Sequence, residues 1–167
     1  MGLTFFIHRN CYLTVLDNLN DRIKELAETV LEGRPLFVVD VHVKGHKGSR
    51  TVWVYIDSEE GGVNLDECAK ISDELSLLLD AHNVIEGSYR LNISSPGLDR
   101  PLVDRRQYPK NVGRRASVRY EKGGDEQRIE GTIKQFADNR LIIERKDGST
   151  ESVDYGNILE TKILAAW

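Results

Sequence analysis

Cysteine is scarce in this chain. Cys11 and Cys68 are the two in 167 residues, and they form neither a CxxC pair nor a framework of spacings. That usage argues against a disulfide-stapled secreted domain and suits a reduced cytoplasm. The four histidines (His8, His42, His46, His82) are scattered without metal-ligand spacing, so no metal site and no cofactor is expected. No apolar run approaches the roughly 18 to 20 residues of a membrane span, and no membrane association is expected. Met1 to Ile7 is apolar, but His8, Arg9 and Asn10 interrupt it at once and no basic n-region precedes it, so a secretory leader is not expected. Phosphate-cradling glycine loops of the GxxxxGK[ST] or GxGxxG type are missing, as is a G-x-S-x-G elbow around Ser94 or Ser95. The acidic pairs Glu59-Glu60 and Asp66-Glu67 flank a helix start, where solvated charge favours the helix dipole. No constellation suited to catalysis emerges, and an enzyme is not expected.

What is present is a globular composition, 40% hydrophobic and 30% charged. The length allows one domain or two small ones, each with a modest core. Charge is uneven. Residues 1–95 hold nine Lys and Arg against fifteen Asp and Glu, a net −6, whereas residues 96–167 hold fourteen against twelve, a net +2. Within 98–119 stand Arg100, Arg105, Arg106, Lys110, Arg114, Arg115 and Arg119, against Asp99 and Asp104 alone. An acidic front half joined to a basic junction is the asymmetry that matters for partners.

Residues 1–17 admit two readings: a frayed extension, or extra helical turns packing Phe5 and Phe6. Leu19, Ile23, Leu26, Ala27, Val30 and Leu31 then lie on one helical face, with Asn18 or Asn20 as cap and Gly33 and Pro35 as the stop. Leu36 to Val43 and Thr51 to Asp57 read as strands joined by Gly45-His46-Lys47-Gly48-Ser49. A second helix runs from about Leu65 to Ala81, with Asn64 and Glu67 at capping-box spacing. Its buried face is expected to carry Leu65, Cys68, Ala69, Leu75, Leu78 and Leu79. Tyr89 to Ser94 is a further strand. The order α-β-β-α-β predicts two layers, with helices on one face of a three-stranded sheet. Beyond residue 101 five short strands are expected: 116–120, 128–136, 141–145, 151–154 and 160–165. Turns fall at 122–125, 137–140 and Asp147-Gly148, with a helical turn at 155–157. That density suggests a small barrel, and Gly131 sits where a strongly curved strand needs a glycine. The class is α+β, with an α/β domain over 1–95, a linker over 96–101 and a small β domain over 102–167.

Two features bear on binding. Gly45-His46-Lys47-Gly48 spells GxxG, the nucleic-acid clamp of KH domains. Such a loop joins two helices there and two strands here, so a flexible hairpin is the simpler reading, with Lys44, Lys47 and Arg50 left as weak phosphate contacts. The basic junction is either a solvated surface with local pairs, such as Asp99 with Arg100 and Asp104 with Arg105 or Arg106, or a stripe that meets RNA phosphate or an acidic protein face. Tyr108 and Tyr120 flank it, too few aromatics for a base-stacking platform. Docking by shape or by protein contact therefore fits better than sequence readout.

The most specific stretch is Ser94-Ser95-Pro96-Gly97-Leu98-Asp99-Arg100-Pro101-Leu102, which follows the strand Tyr89 to Ser94. Pro96-Gly97 suits the centre of a type II turn, with Gly97 at φ > 0, and Pro101 holds Arg100 extended. The stretch reads as a stiff joint between domains. SSPGLDRPL closely resembles the signature of the bacterial ribosome maturation factor RimP family. Val54-Tyr55-Ile56-Asp57 leading to Val63-Asn64-Leu65-Asp66-Glu67-Cys68, and the barrel-like tail, resemble that family too, over about residues 19 to 167. The apolar first seventeen residues depart from it. The resemblance implies a KH-like α/β domain followed by an SH3-like (Sm-like) barrel. It also implies a cytoplasmic, non-catalytic factor that binds the immature small ribosomal subunit, at ribosomal RNA and a ribosomal protein near the decoding centre, and promotes its maturation. A monomer without cofactor is expected. The alternatives are a free-standing RNA-binding regulator and a protein-interaction adaptor.

Overall fold

A computed structural model describes residues 4–97 and 99–165, with side chains from Asn18 onward; Leu98 of the signature stretch lies outside the described residues. The chain divides into two compact units. Ser58–Gly61 and Pro96–Trp167 form the second, and the remainder up to Ser95 forms the first.

The first unit follows the order α1 (Thr4–Leu31), β1 (Leu36–Lys44), β2 (Arg50–Ser58), α2 (Leu65–Ala81), β3 (Tyr89–Ser94). The α1 backbone is helical from Thr4, well before the start expected near Leu19. No glycine or proline stands between Thr4 and Leu31 to interrupt it, so Asn18 and Asn20 are interior residues and not caps. The packing of Phe5 and Phe6 lies outside the described side chains. Gly33 (φ 76°) terminates the helix, and the Arg34 N–H donates to the Leu31 carbonyl at 3.0 Å.

In α2 the Asn64 side chain accepts from the Glu67 N–H at 2.8 Å, one half of the expected capping box. Its buried face is Ile71, Leu75 and Leu79, with Cys68 and Leu78 partly covered. This face is rotated from the expected one. Leu65 is 87% exposed and Ala69 is exposed, because the stripe at 68, 71, 75 and 79 follows the helical repeat better than one begun at Leu65.

The sheet order is β1-β2-β3, with β2 and β3 parallel. Parallel neighbours need a crossover, and α2 supplies it. Alternation sends Val52, Val54 and Ile56 of β2 inward against Ile23 and Ala27 of α1 and Ile71 and Leu75 of α2. The core thus lies between the two helices and one face of the sheet.

The second unit opens with two 3-10 turns, Arg105–Gln107 and Pro109–Asn111. It continues with β4 (Arg115–Lys122), β5 (Asp125–Ala137), β6 (Arg140–Glu144), β7 (Thr150–Asp154), a 3-10 turn at Tyr155–Asn157, and β8 (Ile158–Ile163). The five strands form one antiparallel sheet in the order β7-β6-β5-β4-β8. Gly123 (φ 64°) with Gly124 (φ 89°), and Asp138 (φ 49°) with Asn139 (φ 61°), give the paired positive φ angles that tight two-residue hairpins require. Gly131 lies where β5 meets β6 so closely that a Cβ would run into the Glu144 backbone and the Ile143 side chain. The register between these strands shifts just beyond it, at Ile133 to Gln135. Among the described residues no ladder joins β7 to β8, so the sheet does not show the closure a barrel would have.

Candidate nucleic-acid and partner interface

The basic junction begins at a turn that differs from expectation. Gly97 is not at positive φ and nothing lies within 4 Å of a Cβ placed there. Its carbonyl accepts from the Arg100 N–H at 3.1 Å, so Gly97 opens the turn instead of sitting at its strained third position. No glycine is demanded at that point. Arg100 is half-buried.

The next segment is held by buried polar side chains. Asp104 caps the first 3-10 turn by accepting from the Arg106 N–H at 2.9 Å. The Gln107 side-chain oxygen accepts from the N–H groups of Val103 (2.9 Å) and Asp104 (3.1 Å). Asn111 donates from Nδ2 to the Gln107 carbonyl at 2.6 Å. Gln107 and Asn111 are buried, so they fix the backbone from which the cations project.

Tyr108 and Tyr120 are core residues, not flanking surface rings. Tyr108 is 1% exposed, stacks on Phe136 at a centroid distance of 4.7 Å, and meets Tyr155 edge-on. Burial pushes its phenol up to about 12.

The cations divide by their company. Arg106 grips Asp104 with two hydrogen bonds, Nε to Oδ1 at 3.0 Å and Nη2 to Oδ2 at 2.7 Å, which is one of the local pairs expected from sequence. Arg119 lies on the outer face of β4 between Glu126 (3.1 Å) and Glu160 (3.6 Å). Lys110 is half-buried on the second 3-10 turn. Arg114 is exposed and donates to Asn111 Oδ1 at 3.1 Å. Arg105 and Arg115 are exposed and hold no ion pair among the described residues.

The sheet register adds cations that linear reading misses. A surface depression of about 500 Å³ is lined by Arg115, Thr132, Arg145, Lys146 and the carboxylates of Glu130 and Glu144. Arg145 is held by Glu151 at 3.2 Å, and Glu144 by Lys134 at 3.1 Å. Among the described residues, Arg115 and Lys146 are left as the cations of that depression without an ion pair. Lys146 lies outside the basic run, and only the folding of β6 onto β5 reveals its neighbour.

The GxxG loop joins β1 to β2, with Gly45 at φ 93° and Gly48 at φ 83°. Lys47 is engaged by Glu86 at 2.7 Å, and the loop abuts Gly87, where a Cβ would approach Gly48 Cα to 2.9 Å. These contacts describe a packed strand connection, not a clamp between helices. The half-buried Cys68 thiol is pushed up by burial and by the Glu67 charge, against the thiolate a nucleophile needs. Among the described residues no group of three or more metal-ligating side chains gathers, and no helix is long and apolar enough to cross a membrane.

The site thus belongs to a chain with an α/β unit built on a β-α-β crossover and a second unit whose antiparallel sheet carries exposed cations on and beside its short turns. Residues 26–99 match the family model of the RimP N-terminal domain. The match spans most of the first unit and runs through Asp99 of the signature stretch.

Proposed function

We propose that this protein is a non-catalytic assembly factor that binds the immature small ribosomal subunit in the cytoplasm and promotes its maturation. The match of residues 26–99 to the RimP N-terminal domain carries the reading. The charge asymmetry supports it: the acidic first unit is joined to a second unit that exposes Arg105, Arg114 and Arg115. In this reading the first unit is a KH-like layout and the second an SH3-like (Sm-like) barrel. The close approach of β5 to β6 at Gly131 and the five antiparallel strands support the latter. Ribosomal RNA and a ribosomal protein near the decoding centre are the proposed partners. Electrostatic attraction speeds encounter, and shape selects the target.

Co-sedimentation tests this reading. The protein should pellet with precursor small subunits more than with mature subunits or naked ribosomal RNA of equal mass. Equal binding to all three would favour a general RNA-binding regulator instead.

A further inference from the structure

We propose that the open face of the first unit's sheet is a second, separate docking site, taking unpaired RNA with Trp53 as its stacking surface. Helices cover one face of this sheet, where Val52, Val54 and Ile56 are fully buried. Alternation turns the intervening residues of β2 to the other face. There Trp53 and Tyr55 lie side by side with centroids 6.3 Å apart and planes 12° apart, and His42 of β1 meets Tyr55 edge-on at 6.0 Å. The parallel register sets Trp53 opposite Asn92 and Thr51 opposite Arg90. A half-buried indole is therefore flanked by an amide on the neighbouring strand, with an exposed guanidinium two residues along it.

The charge around the rings selects the occupant. Arg90 and Lys44 are exposed and have no ion-pair partner among the described residues. The adjacent carboxylates are occupied: Asp40 by His42 at 2.7 Å, and Glu86 by Lys47 at 2.7 Å. Asn92 donates its Nδ2 to the Val52 carbonyl at 3.4 Å, which leaves Oδ1 to accept from a base N–H. Aromatic faces rimmed by unpaired cations complement a strand of anionic phosphates carrying exposed π-faces. In a duplex the bases are already stacked on one another, so the same face offers it only charge. This site lies on the acidic unit, away from the basic junction in sequence, and does not rest on the ribosomal reading.

The test uses the full chain with Trp167→Phe, which leaves Trp53 as the one indole of the two in the sequence. Its fluorescence is titrated with a short unstructured oligoribonucleotide, with the duplex of the same sequence, and with heparin as a polyanion. The expected result is saturable quenching by the single strand and little by the duplex or heparin. Trp53→Ala should weaken single-strand binding by roughly 5- to 100-fold in a polarisation assay with labelled oligomer, while Trp53→Phe, which keeps a π-face, should retain most of it. Arg90→Gln should flatten the salt dependence by about one phosphate's share. Circular dichroism and melting confirm that each variant is folded. Equal quenching by duplex or heparin, or unchanged affinity in folded Trp53→Ala, would overturn the proposal. So would a Trp53→Ala defect confined to protein partners. Subunit pelleting without oligomer quenching would sink this site and leave the proposed function standing. Quenching without subunit preference would do the reverse.

Discussion

The Tyr108 hydroxyl donates to Thr161 Oγ1 at 2.9 Å across 53 residues of chain, inside the core of the second unit. Both groups are buried, and Leu102 bridges to the same Thr161 through the backbone, with its N–H donating to the Thr161 carbonyl at 2.8 Å. The segment carrying the basic residues is thus fastened to β8 by one side-chain and one main-chain bond. The first prediction concerns this fastening. Tyr108→Phe keeps the ring stack on Phe136 but strands the Thr161 hydroxyl, and should cost about 1 to 3 kcal/mol in urea unfolding. Tyr108→Ala removes the stack as well and should cost about 3 to 5 kcal/mol. In a spectrophotometric pH titration the Tyr108 phenolate should emerge only near about 12, later than an exposed tyrosine. A Tyr108→Phe variant with unchanged stability would show that the hydroxyl bond contributes nothing to the fold.

A second prediction follows from how the arginines are partnered. Among the described residues Arg105, Arg114, Arg115 and Lys146 are exposed and hold no ion pair, whereas Arg119 is held between two glutamates. Neutralising the first four together should weaken small-subunit binding and flatten its salt dependence by roughly 0.7 to 0.9 in log–log slope for each phosphate no longer neutralised. Arg119→Gln alone should change the slope little. Pelleting across a salt series measures both, and an unchanged slope in the fourfold variant would show that these cations do not meet phosphate.

The same partnering shows what linear reading reaches. Strand positions are legible because alternation is local: Val52, Val54 and Ile56 announce one face of β2, and the Gly123-Gly124 and Asp138-Asn139 pairs announce turns. The start of α1 is not, since residues without a breaker carry no boundary to read. Tyr108 misleads because a tyrosine within a run of arginines looks like surface, and its burial is decided by Phe136 and Thr161, far along the chain. Trp53 and Tyr55 are legible as strand residues, but that they share an open face with Arg90 depends on the parallel register made by α2. The Arg115–Lys146 neighbourhood likewise exists only once β6 lies on β5.

The glycines give a third prediction, opposite to what the signature stretch suggests. Gly97→Ala meets open space at an ordinary φ and should change stability by less than about 0.5 kcal/mol. Gly131→Ala should be the damaging substitution, because its Cβ collides with the Glu144 backbone of the adjacent strand as well as with the Ile143 side chain, and the backbone cannot swing aside. A loss of about 2 kcal/mol or more is expected, of the order that overpacking produces. Thermal melts of the two variants side by side decide the matter, and equal melting temperatures would refute the close approach of β5 and β6.

The fourth prediction is pH-dependent. Glu151 accepts from Lys122 at 2.6 Å and from Arg145 at 3.2 Å, and these cations hold its carboxyl below the usual range. A carboxylate whose folded value lies below its unfolded one contributes stability above the unfolded value, and that contribution disappears as pH falls through the folded one. Glu151→Gln should therefore destabilise the chain at neutral pH by about 1 kcal/mol or less, a modest figure because the Lys122 side chain is well exposed to solvent. The gap between variant and wild type should close as pH falls below about 4, where the unfolded carboxyl protonates first and the paired one follows. Urea midpoints from about pH 7 down to about pH 3 would trace this closure. A gap that persists at the acid end would mean that Glu151 acts through packing, and that its charge is incidental.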